Sequence, residues 1–266
     1  YINPKSGYLF NTNHSSFLAT GKSDNLNPNK FPVTDGWEMY DNNRSVRVAE
    51  QMPEGKLDFE TLKKIKFDRQ LPAKLRYPHD IDSMFLLSDT EFSQYASLID
   101  KKGTADSKGA AVFLLTYLHL SKLLAGRTPG KISKAEAVET YKYVYDYMMS
   151  NFGKTDLALG DIQKLVRGDK EWPLWGFPDL LSPQWTAPYK DGKLKSIGGD
   201  GLIMFIRFHK EGLPVIETVN MYGTSAKPGN KHFDDQVGMY LQQQTKKMTL
   251  DKAEVYKTAE NIYHPL

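Results

Sequence analysis

The chemistry-bearing residues of this chain are densest near its start. Asn11, Asn13 and His14 follow a short apolar run at 7–11 that reads as a strand, and Ser15, Ser16 and Asp24 stand close behind. An amide side chain at a strand end can donate its N–H to an oxyanion as negative charge develops there. A donor of this kind lowers a barrier by about 3 kcal/mol. The alternative is that these Asn side chains satisfy backbone groups in local turns. A second polar group, His232 with Asp234 and Asp235, reads as a cluster at a helix start, with Asp234 as the capping residue.

Other chemistries find little support. Gly223-Thr224-Ser225-Ala226-Lys227 ends in Lys where a nucleophile elbow requires Gly, so a turn after a strand is the better reading. His14, His79, His119, His209, His232 and His264 include no pair three or four apart, the spacing that turns two rings toward one metal on a helix face. No phosphate-binding loop, zinc-protease helix or calcium loop of standard spacing is present. The absence of Cys excludes disulfides, thiolate metal sites and a thiol nucleophile from these residues.

The elements that must position such residues change character along the chain. After a loop-rich opening, the pattern turns helical from Arg44, with Val46, Val48 and Met52 before the stop at Pro53 and Gly55. A second short amphipathic segment covers 57–67. Ser88…Glu91 and Ser133…Glu136 have capping-box spacing and predict helix starts. Between them, 110–125 is apolar on most faces and reads as a helix buried on several sides. A helix over 134–151 and a short amphipathic helix over 157–166 follow. Pro173, Pro178, Pro183 and Pro188 then make 172–189 a long structured loop. The apolar runs 202–208 and 215–221 read as a β-hairpin, and helical pattern returns over 234–246. The expected class is α+β, as one region in three sections: loop over 1–43, mainly helix over 44–170, and loop, hairpin and helices over 171–266.

Composition narrows the partners. The 35 basic and 32 acidic side chains nearly cancel and are interspersed, which argues against a nucleic-acid-binding stripe. The longest apolar run, 109–118, falls short of the roughly 18 residues that suggest a membrane span. Tyr1 opens the chain without an initiator Met or signal pattern, so a fragment or processed chain is expected.

Several segments resemble the penicillin acylases and acyl-homoserine lactone acylases. Ser6-Gly-Tyr-Leu-Phe-Asn11-Thr-Asn13-His-Ser15 is similar to their segment in which Asn-x-Asn follows a Gly and apolar residues. Asn42-Asn43-Arg44-Ser45-Val46-Arg47-Val48 resembles their arginine-bearing helix start. Leu159-Gly-Asp-Ile-Gln163 with Leu165-Val-Arg-Gly168 resembles a third segment, and Tyr222-Gly-Thr-Ser225 with His232-Phe-Asp-Asp235-Gln236 a closing signature. These likenesses occur in the family's order and cover nearly the whole chain.

The resemblance implies the C-terminal part of an N-terminal-nucleophile (Ntn) hydrolase β chain. This part would contribute a helical middle layer and a β-hairpin to an αββα fold. It places Asn13 at the oxyanion donor and Arg44 at the arginine beside the active site, with Arg47 as the alternative and structural ion pairing as the rival reading for both. Some family members bind calcium, and Asp24 falls at the distance of one carboxylate ligand. One Asp cannot supply the six to eight oxygens that calcium requires, so any other ligands would come from upstream. No cofactor is otherwise required. The family's nucleophile is an N-terminal Ser, Thr or Cys activated by its own α-amino group, whereas residue 1 here is Tyr. The expected partners are therefore the upstream part of the same precursor, comprising the α chain and the beginning of the β chain, and a small acyl-amide substrate. The isolated chain is expected to be inactive, and the location periplasmic or extracellular. A degenerate family member and a helical binding or scaffold module are the rival functions.

Overall fold

Several helices among the described residues begin where a polar cap precedes an apolar stripe, and one of these also builds the candidate site. The computed structural model describes residues 1–53, 55–85 and 94–263. These divide into two compact units, 1–199 and 200–266, which subdivide the last of the three expected sections.

In the first unit the opening loop, 1–42, contains only short 3-10 turns. The strand expected at 7–11 does not form. Gly7 takes φ +78°, and the run is held by isolated bonds, from Phe10 N–H to Ala19 O and from Thr20 Oγ1 to Tyr8 O, rather than by a ladder. Helix α1 (Asn43–Gln51) then starts with a capping box: Asn42 Oδ1 accepts the Ser45 N–H while Ser45 Oγ accepts the Asn42 N–H. Helix α2 (Phe59–Lys66) is capped by Asp58 and packs Ile65 against Val48 of α1 and Leu181. Two short helices follow, α3 (Ile81–Phe85) and α4 (Gln94–Ser97). The capping box read at Ser88 and Glu91 lies outside the described residues, as does His264.

Helices α5 (Lys108–Leu123) and α6 (Lys134–Phe152) form the centre of this unit. Every residue from 109 to 116 is buried, as expected for a helix enclosed on several sides, whereas the last turns of α5 emerge at the surface. Ser133 and Glu136 complete the expected capping box at α6, and Gly153 ends that helix in the left-handed conformation. Tyr141, Val144 and Met148 of α6 join Phe113, Leu114 and Leu115 in one core cluster, in which burial of each large side chain contributes about 1.5–3 kcal/mol. No helix among the described residues is long and apolar enough to cross a membrane.

The amphipathic helix expected over 157–166 is replaced by a single turn, α7 (Leu159–Ile162), and a strand, β1 (Gln163–Arg167). The reason is a tight hairpin. Gly168 adopts φ +62° at the first position of the two-residue turn Gly168-Asp169, returning the chain as β2 (Lys170–Pro173). Strands also form at the end of the expected loop, as β3 (Gln184–Pro188), and beyond it, as β4 (Leu194–Gly199). Pro173 and Pro188 end their strands, where a missing N–H is tolerated. The sheet order is β2-β1-β4-β3, with β1 parallel to β4 and the other pairs antiparallel.

Between β2 and β3 the loop 174–183 runs inside the unit, with Leu174, Trp175, Phe177 and Leu180 buried. Buried Gln163 makes this possible: its Nε2 donates to the carbonyls of Leu174, Trp175 and Gly176 at 3.2, 3.1 and 2.7 Å. Phe177 lies against Phe113 of α5 with ring centroids 4.8 Å apart.

The second unit contains the expected hairpin, β5 (Leu202–Arg207) and β6 (Val215–Asn220), paired without a slip. The helix expected over 234–246 shortens to α8 (Val237–Leu241), because Gln243 takes φ +56° and the chain leaves as β7 (Lys246–Met248), the third strand on β6. Helix α9 (Lys252–Thr258), capped by Asp251, follows. Asp234 is not the cap of α8; that position is held by Gln236, whose side chain makes no capping bond. Along β5, Ile203 and Phe205 are buried while Leu202, Met204 and Ile206 are 55, 41 and 41% exposed. The class is α+β, with helices in the middle of the sequence and sheet toward its end.

Candidate active site

Asn13 occupies a tight polar turn whose geometry comes from its neighbours. It takes φ +61°, a conformation that Asn tolerates better than most residues. Its N–H donates to Asn11 Oδ1 at 2.7 Å, and its carbonyl accepts from Tyr40 Oη at 2.9 Å. Thr12 ties the same turn to α1, since its carbonyl accepts from Asn42 Nδ2 at 2.8 Å. The local-turn reading of Asn11 therefore holds, and its effect is to fix the Asn13 backbone.

His14 acts as a brace under this turn. It is 8% exposed and stacks on Phe10 with ring centroids 4.6 Å apart. Thr12 N–H donates to Nδ1 at 3.2 Å, which requires a lone pair there; Nε2 then carries the proton and donates to Leu18 O at 3.1 Å. Thr12 Oγ1 lies 3.0 Å from Nδ1 and 3.2 Å from Asn42 Oδ1.

The first turn of α1 brings Arg44 to Asn13. Arg44 Nη1 donates to Asn13 Oδ1 at 3.2 Å, and Arg44 Nε donates to Asp179 Oδ1 at 2.9 Å. A guanidinium has only donors, so it fixes which end of the Asn13 amide faces it. Nδ2 of Asn13 is turned away and has no protein partner among the described residues. Asp179 is held in turn by Asn43, whose N–H and Nδ2 both donate to Asp179 Oδ2 at 2.8 Å. Asn43 is fully buried, and its Oδ1 accepts the Arg76 N–H at 2.7 Å. The Arg44–Asp179 pair keeps 18% and 19% side-chain exposure, so solvent screens part of its attraction. Behind Asp179, Tyr77 Oη donates to Pro178 O at 2.8 Å. Burial first, then the charge of Asp179 and the neighbouring Tyr117, push the Tyr77 phenol well above its ordinary value, so it remains a donor.

The structure thus joins two sequence candidates, Asn13 and Arg44. Arg47 points elsewhere, pairing with Asp68 at 2.5 Å and Glu50 at 3.0 Å; its hydrogen bond to Asp68 is the main reason its pKa is raised. Asp24 closes the opening loop by accepting the Ser6 N–H at 2.5 Å, the main cause of its lowered pKa. The described residues contain no group of three or more His, Asp or Glu placed to hold a metal. Ser225 lies in a turn, its N–H donating to His232 O and its Oγ accepting the Lys227 N–H. His232 Nδ1 meets Asp235 Oδ2 at 2.7 Å, within the second unit.

Two further site residues escaped the sequence reading. Asp179 sits at φ +67° in the proline-punctuated loop, and Asn43 looks like any polar residue at a helix start. Asp after Pro in a loop is a turn signal, but nothing in the local pattern says that it meets a helix 135 residues earlier.

Comparison with known proteins puts this geometry in context. No curated protein matches the chain. Among solved structures, a thermostable penicillin G acylase from Alcaligenes faecalis, in an orthorhombic form, is similar with a TM-score of 0.48 and 13% identity. The match covers 99% of this chain and 57% of that one, so this chain spans little more than half of that relative's length. The penicillin amidase family matches residues 1–257, nearly the full length of the sequence. The chain belongs to the penicillin amidase family.

Proposed function

We propose that this chain forms the C-terminal part of an amidohydrolase that cleaves linear acyl amides, such as penicillins or acyl-homoserine lactones, with a nucleophile supplied from outside residues 1–266. The carrying observation is the Arg44 to Asn13 hydrogen bond, which leaves the Asn13 Nδ2 donor available. Asn13 Nδ2 donates to the oxyanion of the tetrahedral intermediate. Arg44 holds the amide in the donating orientation, and Asp179 with Asn43 holds Arg44. An amide fixed before the reaction begins costs little reorganisation as charge develops, which is why such a donor is effective.

The meeting side chains are an amide, a guanidinium and a carboxylate, a set suited to binding and orienting an acyl group rather than attacking it. The upstream part of the precursor supplies the nucleophile and most of the acyl pocket, and covers the exposed face of β5. Any calcium bound at Asp24 draws its remaining ligands from that part. The working protein is exported, to the periplasm or the extracellular space.

The test is chromophore release from a panel of acyl-anilides by this chain alone and by the chain with its upstream region restored. Activity only in the restored protein, lost in Asn13→Ala, supports the reading. Activity in the isolated chain would place the nucleophile within 1–266, with Thr12 beside His14 as the first suspect. Silence in both would favour a degenerate member that keeps the fold.

A further inference from the structure

Besides Asn11 and Arg44, one further side chain holds Asn13. Tyr40 Oη donates to the Asn13 carbonyl at 2.9 Å, and the Tyr40 carbonyl accepts the Ser15 N–H at 3.0 Å. A single residue therefore ties down the turn on both sides of His14, with its side chain at 13 and its backbone at 15. Tyr40 keeps 47% of its surface exposed, so its hydroxyl serves the turn rather than the core.

Tyr40 is itself anchored. Its neighbour Asp41 pairs with Arg76 at 3.3 Å, and Asn42 opens α1 with the capping box. The Arg76 N–H donates to Asn43 Oδ1, Asn43 donates to Asp179, and Asp179 accepts from Arg44, which reaches the Asn13 amide. These contacts close a ring that leaves Asn13 at its side-chain oxygen and returns to it at its carbonyl. The two ends do different things. Arg44 decides which end of the amide faces it, whereas the backbone decides where the amide stands. That backbone takes φ +61°, which an L residue holds only at a cost, so the bonds at its N–H and carbonyl keep it there.

We propose that Tyr40 is a positioning residue for amide hydrolysis: its hydroxyl fixes the Asn13 backbone so that Nδ2 stands where the oxyanion forms. The proposal rests on the reading of Asn13 as the oxyanion donor and adds a residue that reading does not contain. A donor of this kind must be held to within about 0.5 Å, and a hydrogen bond to its own carbonyl is a direct way of doing so. In this role Tyr40 touches neither substrate nor oxyanion. Its loss acts on the transition state and leaves substrate binding alone.

The test compares Tyr40→Phe, Asn13→Ala and the double variant in the protein with its upstream region restored, by steady-state kinetics on an acyl-anilide. Tyr40→Phe should lower kcat about fivefold, the worth of one hydrogen bond, with KM unchanged. In the Asn13→Ala background the same change should have no effect, because the donor it places is gone. In the 266-residue chain, Tyr40→Phe should speed hydrogen exchange at the Asn13 and Ser15 N–H groups while leaving α1 unchanged. A kcat that falls in Asn13→Ala but not in Tyr40→Phe overturns this proposal and leaves the Asn13 reading standing. An unchanged kcat in Asn13→Ala, or a restored protein without activity, removes both. A Tyr40→Phe loss that persists in Asn13→Ala, a raised KM, or unchanged exchange at both N–H groups would each overturn the positioning role.

Discussion

Asp179 offers the sharpest test of how the candidate site is held. In Asp179→Ala, Asn43 loses the acceptor for both its N–H and its Nδ2, and Asn43 is fully buried. Each orphaned donor costs about 1–2 kcal/mol. The half-screened pair with Arg44 contributes at most about 1 kcal/mol. Alanine at φ +67° adds about 1 kcal/mol of backbone strain. The expected loss is about 3–6 kcal/mol. Asp179→Asn keeps one acceptor oxygen for Asn43 and tolerates the same backbone, so it should cost only about 1–2 kcal/mol, mainly through the lost charge. All four Trp residues, at 37, 172, 175 and 185, lie in the first unit, so urea unfolding followed by tryptophan emission reports on that unit alone. If both variants stay within about 0.5 kcal/mol of the parent, the network around Asp179 does not hold the turn of α1 and the reasoning fails.

Further outcomes follow from the same structure. In the protein with its upstream region restored, Asn13→Ala should lower kcat about 100- to 1000-fold with little change in KM, since the donor acts on charge present only in the transition state; steady-state kinetics on an acyl-anilide decides this. Glu136 has its pKa lowered, chiefly by the Ser133 N–H, so its cap contributes stability at neutral pH that is lost as the pH falls through the depressed value. Acid titration followed by circular dichroism should therefore show a smaller loss of stability on acidification in Glu136→Gln than in the parent. Gly109→Ala should destabilise the first unit although alanine favours helix by about 1 kcal/mol, because the added methyl would overlap Leu98 O of the packed chain. A raised thermal midpoint in that variant would refute the packing argument.

What the sequence determined by itself was whatever rests on neighbours within a few positions. The Ser133 and Glu136 cap, the stop of α1 just before Pro53, the enclosed first half of α5 and the β5–β6 hairpin were legible because residues three or four apart, or a few across a turn, decide them. The family was legible from four short segments in order; two of these carry Asn13 and Arg44, whose side chains the fold brings together. Where local pattern was ambiguous it misled: 157–166 reads as amphipathic helix, yet from Gln163 the Gly168 turn supplies a partner strand and the ladder wins. The same happened beyond α8, where Gln243 turns the chain back toward β6. Only the tertiary structure decided that Asp179 meets Arg44, that Arg47 turns to Asp68, and that an apolar proline-rich loop runs through the core. The physical reason is that a charged side chain is paired, and a buried amide satisfied, by whichever group the fold brings within about 3 Å; separation along the chain places no mark on either residue.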